Sequence, residues 1–381
     1  MPDDRGRGSP PEAMGPVAIF LPSLAGGGAE RMMVTVANGF AERGVNVDLV
    51  LADATGPNLE SVRPTVTLVD LGAARATASI PGLARYLRRR KPAVVLAALD
   101  QANVAALLAR RLARTRTPVV VSHRNDPRWT VRQLDGIRRV ALRALGRRLY
   151  RRAGGHIAVS DGVAEAIAEQ FGLPRSSIAT IHNPVVSPQL HSRAAEEPQH
   201  RFFGAGRTPV IVAAGRLTAQ KDFATLIRAF AELRRTTPAT LIILGEGELR
   251  AKLEALVHQL GLGDSVDLPG FVGNPYGFMR RASVFVLSSV AEGLPNVLVE
   301  AMACGTPIVS TDCRSGPAEI LEGGRWGRLV PVGDASALAA AMRLTLEDDR
   351  PPDVAVRAND FDVDSAVEAY LALLSEVVRR S

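Results

Sequence analysis

Two cations and two carboxylates in the second half of the chain have types and spacing suited to a charged, hydroxyl-rich ligand. Arg216 and Lys221 stand where an apolar β-type run, PVIVAAGR, passes through Leu217-Thr218-Ala219-Gln220 into the helical stretch DFATLIRAF. Cations at a helix start oppose the helix dipole, so a solvated pair is poorly placed there, whereas a bound diphosphate would compensate both. Lysine is also scarce: the chain has only Lys91, Lys221 and Lys252 against 43 arginines. Further on, ASVFVLSS is followed by VAEGLPNVLVEAMACGTP, which carries Glu292 and Glu300. Pro295 suits the first turn of a helix and Gly305 its end, which puts Glu292 in the preceding loop and Glu300 inside the helix. Free amides between Gly293 and Val297, around Leu294, Pro295 and Asn296, would then be open to phosphate, with the carboxylates accepting from sugar hydroxyls. By spacing alone, two carboxylates eight apart serve equally well as surface charge.

A weaker signal lies near the start. The first apolar run ends at Pro22-Ser23 and enters Gly26-Gly27-Gly28 before a helix beginning near Ala29. Backbone amides of Gly27 and Gly28 can approach a phosphate or sugar closely there. The spacing is not GxGxxG, and Asp53 is the one candidate for an acidic ribose partner, so a tight turn is the plainer reading.

These residues need a scaffold, and the chain supplies the same one twice. PVAIFLPS, VNVDLVLAD, PAVVLAAL, PVVVSHR and HIAVSD are short apolar runs, each followed by a helix-like stretch. That alternation predicts parallel strands with crossover helices. It restarts with PVIVAAGR, ATLIILGEG, SVDLPGF, ASVFVLSS, TPIVSTD and GRLVPV. The expected organisation is a disordered leader over 1–15, a Rossmann-like domain over 16–184 and a linker over 185–208. A second Rossmann-like domain follows over 209–362, and an amphipathic helix over 363–381 packs back on the first. Two doubly wound domains of this α/β class would face each other across a cleft lined by strand carboxyl ends.

Composition bounds the rest. At 381 residues the chain exceeds what one core usually supports. Cys304 and Cys313 have neither a CxxC partner nor a histidine cluster, which suggests reduced thiols and no metal site. No stretch reaches the roughly 20 apolar residues that cross a bilayer. The net charge is +7, yet residues 75–152 hold 20 Arg or Lys against Asp100, Asp126 and Asp135, which makes that segment +17 and leaves −10 for the remainder. Such a segment is either a set of solvated helix faces or a surface for anionic headgroups or a diphosphate-linked acceptor. Nucleic acid is disfavoured because aromatic stacking residues are few.

The segments EGLPNVLVE, AMACGTPIVSTD and SGPAEIL resemble the donor-site signature of family 4 of the retaining glycosyltransferases, which have the GT-B fold. GRLTAQKDFATLIRAF, LGEGELRAKLEAL, FVGNP and ASVFVLSS are similar to the same family in the same order, as is LPSLAGGGAER at the first strand. The resemblance implies that Arg216 and Lys221 bind the donor diphosphate, Glu300 the ribose, and Glu292 the donor-sugar hydroxyls, with backbone from Gly293 to Asn296 touching sugar and phosphate. It also implies no metal or other cofactor, and same-face attack in which the departing phosphate takes the acceptor proton. His123 would either touch the donor sugar or occupy a position that is acidic in relatives, with Arg124 and Asn125 facing the acceptor. Asp222 stands where many members have Gly. Glu319 either reaches the nucleotide or caps a turn.

The expected activity is therefore retaining transfer of a hexose or N-acetylhexosamine, from a UDP donor in preference to GDP-mannose, to a lipid-linked or polysaccharide precursor. The expected location is the cytoplasm, with peripheral contact at the inner membrane face. A nucleotide-sugar epimerase and a degenerate, non-catalytic assembly partner are the alternatives. The Glu-x7-Glu segment disfavours the first and the intact cation pair disfavours the second. A nicotinamide-dependent oxidoreductase is weaker, since its glycine fingerprint is missing.

Overall fold

The computed structural model describes residues 15–25, 27–132, 144, 146–204 and 208–381. The expected leader therefore lies outside the described residues but for Gly15, as do Asp135, Arg138 and Arg139 of the basic segment. The chain divides into two compact units. One runs to Val159 and adds Ala164–Pro184 and Val363–Ser381, and the other takes Ser160–Val163 and Val185–Asp362.

The first unit is built on seven parallel strands: β1 (Val17–Leu21), β2 (Val47–Leu51), β3 (Thr67–Asp70), β4 (Val94–Ala98), β5 (Val119–His123), β6 (Gly155–Ala158) and β7 (Ile178–Thr180). Their order is β3-β2-β1-β4-β5-β6-β7. Central strands such as β1, β2 and β4 are buried at every position. Helices cover both faces of such a sheet, which is why these strands read as continuous apolar runs. The edge strand β3 is mostly exposed. The helix Val363–Arg379 buries Val367, Tyr370, Leu374 and Val377 in the same core as Phe40 of the helix Gly28–Glu42. Gly39 lets the two approach: a Cβ there would lie 2.6 Å from Val367 Cγ2.

The second unit repeats the plan with six parallel strands: β8 (Val210–Ala214), β9 (Thr240–Leu244), β10 (Val266–Gly270), β11 (Val284–Leu287), β12 (Ile308–Thr311) and β13 (Arg328–Val330). Their order is β10-β9-β8-β11-β12-β13. Both units are thus α/β, Rossmann-like and doubly wound. In each, the chain winds outward from its first strand and then returns to that strand's other side, so topological switch points lie at β1/β4 and β8/β11.

Residues 185–204, expected as linker, belong to the second unit. Ser187 accepts from Leu190 N at 3.3 Å and caps the short helix Pro188–Ala194. Val185 N and Val186 N both donate to Phe361 O at 3.0 Å. A helix of seven residues, about two turns, is too short to show periodicity in the sequence.

Candidate functional site

The switch point of the second unit gathers the cations and carboxylates singled out above. Val284 and Phe285 of β11 pair with Ile211 and Val212 of β8, so the loops leaving these two strands start side by side. Three hydrogen bonds join the loops: Gln220 Nε2 to Ala291 O at 2.7 Å, Val290 N to Gln220 O at 2.9 Å, and Ser288 Oγ to Lys221 O at 2.8 Å. Lys221 Nζ thereby lies 2.6 Å from Glu292 Oε1, with side chains only 18 % and 8 % exposed. Ser289 Oγ donates to the same oxygen at 2.6 Å, and Thr311 Oγ1 donates to Ser289 O at 2.6 Å, so β12 holds the serine in place.

Arg216 is exposed and takes part in no ion pair among the described residues. Its backbone has little freedom. Gly245, at φ +140°, passes so close that a Cβ would lie 2.0 Å from Gly215 O, and a Cβ on Gly247 would lie 2.6 Å from Leu217 N. Larger residues there would displace the strand end that carries Arg216.

Lys221 precedes its helix by two residues. The helix Phe223–Leu233 is capped by Asp222, whose left-handed backbone (φ 45°, ψ 46°) is one that Gly adopts without cost. Its carboxylate accepts from Thr225 N at 3.3 Å and Thr225 Oγ1 at 2.7 Å. Asx capping thus compensates for the absence of Gly.

Pro295 is the N-cap rather than the first helical residue, and the helix runs Asn296–Ala303. Gly305 follows at φ +79°, a left-handed C-terminal stop. Gly293, Leu294 and Pro295 are buried and Asn296 half-buried. The loop is held from two sides. Ser160 Oγ donates to Gly293 O at 2.8 Å, and Gly316 (φ +92°) leaves no room for a Cβ, which would lie 2.5 Å from Pro295 Cδ. Glu300 is 2 % exposed on the inner side of the helix. Burial, followed by the nearby Glu300 charge, pushes the Cys304 thiol up to about 12; burial and then Glu292 do the same to Cys313. Neither thiol is ionised near neutral pH. Glu319 accepts from Asp161 N at 2.9 Å, at the start of the helix Asp161–Phe171, which matches the capping alternative.

In the first unit, Gly27 is the N-cap of Gly28–Glu42, with extended backbone and Glu30 in the first turn. The preceding loop is held by Gly56 (φ +117°), where a Cβ would lie 2.0 Å from Leu24 O. Gly26 lies outside the described residues. His123 ends β5 and is fully buried. Its Nε2 is 3.4 Å from His156 Nδ1, and His156 Nε2 is 3.1 Å from Tyr150 O. Tyr150 meets His123 edge-on at 5.1 Å between centroids. Burial, then the second histidine, lowers the His123 pKa to about 3, and burial lowers that of His156 to about 4, so both rings are neutral near pH 7. The packing of His123 is that of a core histidine. Arg124 is 5 % exposed and Asn125 is exposed.

Sequence reasoning passed over Ser160, Ser289, Thr311 and Gly316, which hold the candidate residues in place. Ser289 sits in the doublet directly after β11, and Gly316 within SGPAEIL. Among the described residues no group of three or more His, Cys, Asp or Glu side chains could hold a metal ion, and no helix is long and apolar enough to cross a membrane.

Residues 26–187 match the family model "Glycosyltransferase Family 4" and residues 208–348 the model "Glycosyl transferases group 1". The chain is 31 % identical over 252 residues to an N-acetylgalactosamine-N,N'-diacetylbacillosaminyl-diphospho-undecaprenol 4-alpha-N-acetylgalactosaminyltransferase of Campylobacter jejuni, covering 66 % of each chain. It is 26 % identical over 384 residues to the GalNAc-alpha-(1->4)-GalNAc-alpha-(1->3)-diNAcBac-PP-undecaprenol alpha-1,4-N-acetyl-D-galactosaminyltransferase of the same organism, covering 95 % of this chain and 98 % of that one. The lipopolysaccharide core biosynthesis glycosyltransferase LpsE of Rhizobium meliloti is 35 % identical over 173 residues, covering 44 % of this chain and 50 % of that protein. The match thus spans half to about two thirds of several of these relatives. Among solved structures, Anabaena Alr3699/HepE in complex with UDP and glucose aligns with TM-score 0.75 at 21 % identity, over 95 % of this chain and all of that one. The sucrose-phosphate synthase of Thermosynechococcus elongatus aligns with TM-score 0.80 at 19 % identity, over 96 % of this chain and all of that one.

Proposed function

Because the chain belongs with the GT-B glycosyltransferases by its fold and by the family matches of both halves, we propose that it transfers a hexose or N-acetylhexosamine, with retention, from a UDP-sugar to a diphosphate-lipid-linked glycan. The observation that carries this reading is the Lys221–Glu292 pair beside Arg216 at the β8/β11 switch point. Open α/β sheets take nucleotide ligands at such points.

In the proposed mechanism the donor diphosphate enters between Arg216 and the start of the helix Asn296–Ala303. Lys221 turns from Glu292 to the phosphate, and Glu292 is released to accept from a donor-sugar hydroxyl. Arg216 and Lys221 then offset the charge that grows on the leaving diphosphate, strongest in the transition state. Glu300 takes the ribose hydroxyls, and Gly293–Asn296 lines the sugar. The glycosidic bond to phosphate breaks as the acceptor hydroxyl attacks from the same face and passes its proton to the departing phosphate oxygen. This reading gives no proton-transfer role to His123, which is buried and neutral. It requires no metal. Asn125, exposed directly after β5, is assigned to the acceptor.

The acceptor follows from the relatives whose names specify diphospho-undecaprenol substrates. An acceptor of that kind is held in a membrane, and exposed Arg88, Arg89, Lys91, Arg151 and Arg152 offer cations for anionic headgroups. The test is incubation with UDP-N-acetylhexosamines and a short prenyl-diphosphate glycan in EDTA, with the anomeric coupling of the product read by NMR. An α-linked product from an α-linked donor is expected. An inverted product, or an absolute requirement for divalent cation, would contradict the mechanism.

A further inference from the structure

Arg124 is the one arginine in the β5 loop whose placement the folded chain does not explain. It is 5 % exposed, and Nη1 donates to Tyr370 OH at 3.0 Å. Its Nε and Nη2 are buried without a hydrogen-bond partner. These two N–H groups form one straight edge of the guanidinium, the edge that matches two oxygens of a carboxylate or phosphate. Elsewhere the chain uses that edge. Arg90 gives Nε and Nη2 to the two oxygens of Asp48, Arg128 gives them to Asp126, and Arg250 to Glu246. At Arg124 the edge is empty, and Asp126, two residues away, is occupied by Arg128. A guanidinium cannot discharge itself by losing a proton, so burial without an anion is costly. The neighbouring histidine is neutral and offers no compensation. Ser122 Oγ and His123 Nδ1, at the end of the same strand, also lack partners. As a strut for Tyr370, the arginine would use only one of its donors.

We infer that Arg124 is a binding residue for a phosphate oxyanion of the acceptor's diphosphate, taken side-on by Nε and Nη2. The inference rests on the proposed acceptor class and adds the residue that reads it. Arg124 directly follows the carboxyl end of β5, the end of the sheet where ligands of doubly wound folds bind. Tyr370 holds Nη1 and so fixes the plane of the fork.

The experiment is titration of the full chain with farnesyl diphosphate, farnesol, inorganic pyrophosphate and UDP, using the wild type, R124Q, R124K and Y370F. Wild type is expected to bind farnesyl diphosphate more tightly than farnesol, and pyrophosphate to compete. R124Q should lose about tenfold or more in farnesyl diphosphate affinity, the loss of one charge-assisted contact, while UDP affinity stays within about twofold. R124K should fall between, because a point charge replaces the fork. Equal farnesyl diphosphate affinity in wild type and R124Q, with UDP bound by both, overturns the inference. So does an equal drop in melting temperature for R124Q and Y370F with diphosphate affinity unchanged, which would make Arg124 a strut for the C-terminal helix. Failure of UDP to bind the wild type would instead count against the proposed function.

Discussion

Replacing Lys221 with Met removes one member of a half-buried ion pair and leaves Glu292 at 8 % exposure with its charge. At the 2.6 Å separation of Nζ and Oε1, the attraction is about 6 kcal/mol for an effective dielectric constant of ~20, before desolvation is subtracted. Removing one partner of a buried pair typically costs about 3–5 kcal/mol. Two features place the cost here near the lower end. The ammonium keeps 18 % exposure, and Ser289 Oγ still donates to Glu292. We predict that Lys221→Met destabilises the ligand-free protein by about 3 kcal/mol, and that Glu292→Gln costs about 2 kcal/mol. The double variant should lie within about 2 kcal/mol of wild type, since no charge is left unpaired, giving a coupling of about 3–5 kcal/mol. Urea unfolding of the four proteins at pH 7 supplies the cycle. If Lys221 turns to phosphate on binding, saturating UDP should reduce the coupling. Costs that add to within about 0.5 kcal/mol without ligand would refute the account of the pair.

The buried histidines set a pH window. Both have folded pKa values below the ordinary 6.5, at about 3 for His123 and about 4 for His156. The unfolded chain therefore binds more protons below pH 6.5, so their contribution is fully present above that pH. It is lost on acidification toward pH 4, at up to about 1.4 kcal/mol per pH unit for each ring. His123→Phe should flatten the stability profile between pH 6.5 and 4, and an unchanged slope would count against this. Gly245→Ala should cost about 2 kcal/mol or more and weaken nucleotide binding, because its Cβ would fall 2.0 Å from Gly215 O; a neutral effect in both assays would contradict the packing. Ser160→Ala should raise the donor KM about tenfold and cost about 1 kcal/mol or more of stability, since it leaves the buried Gly293 carbonyl unpaired and removes the acceptor of Val163 N; steady-state kinetics with a UDP-sugar and urea unfolding check this.

Much of the fold was legible because parallel strands buried on both faces read as uninterrupted apolar runs. The two strands passed over are those for which that reason fails. Strand β3 is an exposed edge and β7 has three residues. Helix ends were legible only where a residue type forces them. Gly305 marks its stop, whereas Pro295 fits both the cap and the first turn, and the local backbone decides for the cap. At the site, the residue types at Arg216, Lys221, Glu292 and Glu300 suggested a diphosphate and hydroxyls. Their pairing depends on β8 and β11 being neighbours, which follows from strand order and not from sequence distance. His123 shows the reverse case. The family resemblance left it either as a donor-sugar contact or as the occupant of a position acidic in relatives, and its immersion among Tyr150, His156 and the strand core could be seen only once the sheet was assembled.

The most direct test of the donor site is thermal unfolding of the purified protein in EDTA with UDP, GDP, ADP and dTDP, alongside Lys221→Ala and Glu300→Ala. A nucleotide at 100 times its dissociation constant adds about 2.7 kcal/mol. The account predicts that UDP stabilises the wild type and leaves both variants essentially unshifted. No response of the wild type to any of the four, or a full response in Lys221→Ala, would contradict it.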